Sequence, residues 1–159
     1  MTIEICTVGG FSEVGRNSTA IKVDDEVIIL DMGLQMDNYI RYTEDREDIS
    51  AKTYPQLLKV AAVPDYKHIK NWRDQVKAII PSHAHLDHIG AIPFASPIFP
   101  DAQILCTPYT AEVIKSLLYD DRIKIPNKII PVNLNSTHKI SEKISVEFIN
   151  ATHSVPQAA

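Results

Sequence analysis

The stretch His83-Ala84-His85-Leu86-Asp87-His88 holds three histidines and one aspartate within six consecutive residues. It closely follows residues 76–80, an apolar segment whose low polarity predicts a buried central strand. Four possible metal ligands just after such a strand rarely occur by chance, and strand context is the feature that supports a motif of this kind. The stretch therefore predicts a metal-binding loop at the end of a buried strand.

The spacing of these ligands suggests two ions rather than one. Side chains two residues apart on an extended chain point the same way, so His83 and His85 can converge on one ion. Asp87 and His88 are adjacent, and they can face a common ion only where the backbone turns into a helix. That arrangement suits a second ion beside the first. His153 follows another predicted strand, residues 144–149, and would complete the first ion's set.

Histidine and carboxylate ligands favour zinc, and a catalytic zinc site leaves one position open for water. Zinc lowers the pKa of that water to near neutrality, and two ions about 3.5–4 Å apart can clamp a phosphoryl or carbonyl oxygen. The pattern thus predicts a hydrolytic site with Asp87 and His88 among its catalytic residues. His68 and His138 have no such context, and we expect both to be surface or structural residues.

Asp31 ends a second apolar segment, residues 27–31, and allows two interpretations. Aspartate is frequent in ordinary turns. A carboxylate at a strand end can also orient a metal-bound histidine from behind. Composition alone leaves both roles open.

The bulk composition is that of one ordinary globular domain, with 159 residues, 45% hydrophobic and 23% charged. A net charge of −4 is not the electrostatic footprint of a simple nucleic-acid binder, although bound metal ions would add positive charge locally. Cys6 and Cys106 are isolated, and no secretory signal is visible, so we expect reduced thiols and a cytoplasmic protein. No apolar run is long enough to predict a membrane span.

Strands dominate the first part of the sequence and helices separate the later strands, which predicts a mixed α/β (α+β) layered fold. Residues 35–52 are polar and charged and predict a solvated loop, with a binding loop near the site as the alternative. Strands are predicted at residues 3–8, 19–23, 27–31, 76–80, 103–106, 128–132 and 144–149. Helices are predicted at residues 54–62, 87–95 and 108–119.

The hexapeptide looks like the His-x-His-x-Asp-His signature of the metallo-β-lactamase superfamily, which lactamases, thioesterases, lactonases and nucleases share. Flanking segments resemble the ribonuclease J family of β-CASP nucleases, over residues 3–156. These segments are Gly9-Gly10-Phe11-Ser12-Glu13-Val14-Gly15-Arg16-Asn17, Ile28-Ile29-Leu30-Asp31-Met32-Gly33, Val63-Pro64-Asp65-Tyr66, Asp87-His88-Ile89-Gly90-Ala91-Ile92-Pro93 and Thr152-His153-Ser154-Val155-Pro156.

The resemblance implies a metallo-β-lactamase αββα sandwich, of which residues 1–159 form mainly the N-terminal half, so an apolar sheet face should lack its cover. It implies RNA as substrate, 5′-3′ exonuclease activity with possible internal cleavage, and a homo-oligomeric full-length protein. Two Zn²⁺ are expected, one held by His83, His85 and His153 and the other by Asp87 and His88, with Asp31 supporting the site. The bridging aspartate and the β-CASP domain are expected beyond Ala159, so the fragment alone should be inactive.

Two alternatives remain at this point. A small-molecule hydrolase of the same superfamily fits the acidic charge slightly better. A non-catalytic module that keeps the motif as a structural zinc site is the other.

Overall fold

Six strands form one mixed sheet in the computed structural model, which describes residues 1–44 and 52–159. The sheet order follows the chain order, β1-β2-β3-β4-β5-β6. The strands are β1 (Ile3–Gly9), β2 (Ser18–Val23), β3 (Glu26–Leu30), β4 (Val76–Ile80), β5 (Gln103–Cys106) and β6 (Ile129–Pro131). A mixed α/β fold is thereby confirmed, and all seven predicted strands are present, the seventh in a separate hairpin.

The first three strands are antiparallel, and β2 and β3 form a hairpin. Asp24, in the turn, takes a positive φ of 54°, which aspartate tolerates better than most residues. From β3 onward the pairing is parallel, through β4, β5 and β6. Because the carboxyl ends of parallel strands lie at one edge, the residues that follow β3 and β4 are brought together there.

Helices cover one face of the sheet. They are α1 (Met36–Glu44), α2 (Tyr54–Lys59), α3 (Leu86–Ile89), α4 (Ile92–Ala95) and α5 (Pro108–Asp120), with 3-10 turns at Tyr66–Gln75 and Ser96–Ile98. Ile29, Ile79 and Ile104 lie at the centre of this face and are fully buried. Close packing of these apolar side chains therefore fixes the positions of the strand ends that carry the site.

The opposite face is only partly covered. A two-stranded hairpin of β7 (Thr137–Lys139) and β8 (Ser145–Glu147) flanks it, and Phe148 packs there with Ile80 and Leu105. On β1, however, Ile3 and Ile5 are 55% and 66% exposed. The expectation of an uncovered apolar face is thus right at the β1 edge and wrong over β4 and β5.

Several predicted boundaries need correction. The predicted loop at residues 35–52 contains α1, in which Gln35 accepts a hydrogen bond at 2.6 Å from the Asn38 amide and so caps the helix; residues 45–51 lie outside the described residues. The single helix predicted at residues 87–95 is two short helices, α3 and α4. Pro93 fits the second because its missing N–H is tolerated in a first turn.

The remaining elements agree with expectation within a few residues. Helix α5 is confirmed, and α2 ends at Lys59, before the expected residue 62. Among the described residues, Cys6 and Cys106 are free thiols; Cys106 is buried and Cys6 half-buried. No helix in the described ranges is both long and apolar enough to cross a membrane.

Candidate metal centre

The hexapeptide begins in the loop after β4 and continues through the first three residues of α3. His83 is buried, and His85 is the residue that precedes the first turn of α3. Main-chain bonds fix the helix against the chain that leaves β3: Met32 N donates to His88 O at 2.8 Å, and Leu34 N donates to Leu86 O at 2.9 Å. The loop between a rigid strand and this short helix therefore holds its side chains at the sheet edge.

Three histidines converge beside this loop. His83 Nε2 lies 3.0 Å from both His85 Nδ1 and His153 Nε2, and one ring nitrogen of each lies within 4.8 Å of the others. Three ring nitrogens that converge in this way can share one metal ion. The structure thus brings together the residues predicted for the first ion, and their all-nitrogen set fits zinc.

His153 reaches the site from an exposed C-terminal segment. Ala159 N donates to Ser82 O at 3.1 Å, and Ala151 N donates to Ala158 O at 2.8 Å, so the segment closes on itself and on the loop after β4. The Gln157 side chain accepts a hydrogen bond from Tyr109 N at 2.8 Å. Backbone contacts, rather than burial, position this ligand.

The second pair of predicted ligands sits beside the first group. The rings of His83 and His88 are 4.0 Å apart between centroids, and His88 Nε2 lies 3.4 Å from Asp87 Oδ2. In the part of the chain that the structure describes, one group of ligand-type residues is close enough to share an ion, and it consists of His83, His85 and His153. Asp87 and His88 thus lie beside this group as a pair of ligand-type residues outside it.

Asp31 contacts the site directly. It has a positive φ of 59°, which aims its carboxylate at the loop after β4. Its Oδ2 accepts from His88 Nδ1 at 2.8 Å, and its Oδ1 accepts from Ser82 N at 2.8 Å and Ser82 Oγ at 2.9 Å. Because Nδ1 carries the proton of this bond, His88 Nε2 is left as the lone pair that faces the site.

Two contacts at the site were not anticipated. Ser82 Oγ lies 2.9 Å from His83 Nδ1, and the Asn17 side chain reaches both Asp87 and His88. Asn17 stands in a segment that carried the family resemblance, but nothing in its local sequence indicates that it folds back onto residues 87 and 88. His68 is exposed, and His138 lies half-buried in β7, away from this group.

The two central histidines have opposite pKa shifts. Burial, and then the nearby rings of His88, His153 and His85, lower the pKa of His83 to about 4. Burial alone would also lower the pKa of His88, but the hydrogen bond and charge of Asp31, together with the charge of Asp87, raise it above its usual value. His83 is therefore a neutral ligand at pH 7.

We expect an NMR titration of the metal-free protein to show this split. The His83 ring signal should titrate near pH 4, and the His88 signal above the ordinary value of about 6.5. Since the unfolded chain binds a proton at His83 more readily, this group contributes stability above pH 6.5 that is lost as the pH falls toward 4. His88, whose pKa is raised in the folded protein, contributes stability at low pH that is lost as the pH rises through this raised pKa. Indistinguishable titrations near pH 6.5 for both rings would contradict the geometry.

Replacing Asp31 with asparagine tests the orienting role. The amide keeps the shape and tolerates the positive φ, but it removes the charge that holds His88 Nδ1–H. We expect metal affinity at the Asp87–His88 position to fall about 10- to 100-fold, the usual effect of losing such a partner. The measurement is a zinc titration with a competing chelator. An unchanged affinity would mean that Asp31 is an ordinary turn residue.

A cleft of about 730 Å³ opens next to the ligands. Its walls are largely apolar and include Leu34 and Met36, together with His85 and Asp87. Val14, which is 87% exposed, also lines it. The cleft gives a substrate direct access to the predicted ligands.

Comparison with known proteins agrees with this geometry. Residues 56–159 match the family model described as "Beta-lactamase superfamily domain". Curated relatives named ribonuclease J include those of Methanocaldococcus jannaschii, 40% identical, and Pyrococcus abyssi, 38% identical, each over 99% of this chain. The chain covers 35% and 34% of those two proteins, so it spans about a third of their length.

Solved structures support the same fold. The metallo-beta-lactamase fold protein YhfI from Bacillus subtilis aligns over 98% of this chain and 55% of its own, with a TM-score of 0.61 at 15% identity. A protein of unknown function from Enterococcus faecalis V583 aligns over 97% of this chain and 39% of its own, with a TM-score of 0.67 at 20% identity. At these identities the likeness concerns the fold alone.

Proposed function

Because this chain belongs to the beta-lactamase superfamily and resembles curated ribonuclease J proteins over almost its whole length, we propose that the protein carrying it is a zinc-dependent ribonuclease. The observation that carries the proposal is the convergence of His83, His85 and His153 next to Asp87 and His88. The family likeness supplies the substrate class, and the ligand set supplies the chemistry. We also propose a 5′-3′ exonuclease with some internal cleavage, which is what the resemblance of the sequence motifs implies.

Each residue of the site has a separate proposed role. His83, His85 and His153 would hold one ion, and Asp87 and His88 would hold part of the shell of a second. Bound zinc supplies an acidified water and a positive charge against the phosphoryl oxygens. Asp31 fixes the His88 tautomer, and burial keeps His83 unprotonated and ready to bind. Burial thus keeps the His83 ligand unprotonated at neutral pH, and Asp31 orients the His88 ring.

Residues 1–159 by themselves are expected to bind the second ion weakly and to hydrolyse little RNA, because Asp87 and His88 provide only two ligands. We propose that residues 1–159 are the incomplete N-terminal part of the domain and that the complete protein supplies the remaining ligands. Cytoplasmic location and homo-oligomerisation stay predictions. Robust RNA turnover by the isolated 159-residue chain would contradict this division of the site.

The test is an RNA hydrolysis assay on the complete protein. End-labelled RNA should be degraded with zinc bound, protected after removal of the metal with a chelator, and degraded again when zinc is restored. A panel of lactones, thioesters and β-lactams is assayed in parallel. Hydrolysis within that panel without RNA turnover would favour a small-molecule hydrolase, and zinc binding without any hydrolysis would favour a structural module.

A further inference from the structure

Asn17 is held at the site by its backbone. It ends the loop between β1 and β2, where Asn17 N donates to Asp87 O at 3.1 Å and Asn17 O accepts from Gly33 N at 3.0 Å. This residue therefore joins the loop both to the turn of α3 and to the chain that leaves β3. Such a two-sided attachment fixes the direction of the side chain.

Close packing around the residue depends on two glycines. A Cβ on Gly10, which has a φ of +86°, would lie 2.5 Å from Asn17 Oδ1. A Cβ on Gly33 would lie 2.8 Å from Asn17 N. The loop can approach the ligands only because these side chains are missing, so the position of Asn17 is built into the backbone.

The carboxamide lies between the two predicted ligands of the second ion. Its Nδ2 donates to Asp87 Oδ2 at 3.1 Å and lies 3.2 Å from His88 Nε2. His88 Nδ1 is committed to Asp31, so Nε2 presents a lone pair that accepts from Asn17. One NH₂ group with two hydrogens thus satisfies both ligand atoms at once.

We infer that Asn17 is a positioning residue for the second ion: its carboxamide nitrogen contacts Asp87 Oδ2 and His88 Nε2 together and holds these two side chains next to each other before an ion binds. The inference rests on the proposed function, because it presumes that these two residues share an ion. Without the carboxamide, the Asp87 side chain, which is 36% exposed, has freedom to turn toward water. An ion would then have to order the Asp87 side chain on binding, and the free energy needed for this ordering lowers the affinity for the ion.

The experiment is a two-step Co²⁺ titration of the metal-free complete protein, followed by absorption and calorimetry, for Asn17→Ala and Asn17→Leu. Leucine keeps the branched arrangement of side-chain heavy atoms of asparagine without a donor, and Asn17→Ser is the reserve if either variant fails to fold. Asn38→Ala is the matched control, because Asn38 also makes a side-chain hydrogen bond, to Ala61 O at 3.2 Å, on α1 away from the ligands.

We expect both Asn17 variants to bind the second ion about 10- to 100-fold more weakly, the range seen when a ligand loses its outer partner, and to bind the first ion unchanged. The Asn38 variant should match the unsubstituted protein at both steps. An equal loss at both ions, or no loss at the second, would overturn the inference and leave the proposed function standing. A single binding step in the unsubstituted protein would overturn both.

Discussion

Replacing His83 with alanine is expected to lower kcat/KM for RNA hydrolysis by about 1,000-fold or more. His83 is the central member of the histidine group, with a nitrogen 3.0 Å from one in each of the other two rings. Its loss removes the first ion, and with it several kcal/mol of transition-state stabilisation, at roughly tenfold per 1.4 kcal/mol. The measurement is steady-state hydrolysis of labelled RNA by the complete protein with zinc present.

His68→Ala is the matched control for that experiment, since His68 is an exposed histidine that lies away from the ligands. Its activity should equal that of the unsubstituted protein. Zinc content should fall in the His83 variant and stay constant in the control. RNA hydrolysis that survives His83→Ala at near-normal rate would contradict a metal-dependent mechanism at this site.

Replacing Gly33 with alanine is expected to reduce the free energy of unfolding by about 3 kcal/mol, the upper part of the range for overpacking. A Cβ at this position would lie 1.6 Å from Asp87 O and 2.4 Å from Asp87 C. These are backbone atoms, which cannot move aside as the tip of a flexible side chain can. Either the chain after β3 or the turn of α3 must shift.

Urea unfolding of the metal-free protein measures this change. Ser12→Ala, at an exposed position of the loop between β1 and β2, is the control and should leave stability nearly unchanged. Because the shift would move Asp87, metal affinity at the second position should fall with stability. Full stability in Gly33→Ala would show that the backbone does not approach as closely as the structure has it.

The strands and the ligands of the first ion could be predicted because their signals are local. Strand β4 is apolar throughout its second half, and the hexapeptide that follows carries its ligands within a single turn. His153 could be proposed as a ligand from its place after a predicted strand, and the family resemblance implied the same role. Its position depends on the segment from Ala151 to Ala159 closing over Ser82, and no local pattern indicates that closure.

Other features escaped prediction for identifiable physical reasons. Helix α1 is polar on average and has no buried residue, so its composition indicated a loop, and its start depends on the Gln35 side chain. Strand β7 is the short polar stretch Thr137–Lys139. The contacts of Asn17 and Asp31 with the ligands span 70 and 57 residues, and they exist only because β3 and β4 are parallel neighbours and the loop after β1 folds over their ends.

Anomalous diffraction at the zinc edge from crystals of the complete protein tests whether one sheet edge assembles a two-ion centre. We expect one peak about 2.0–2.1 Å from a ring nitrogen of His83, His85 and His153. We expect a second peak beside Asp87 and His88, about 3.5–4 Å from the first. Zinc bound elsewhere, or a peak that does not touch His83, would contradict the account.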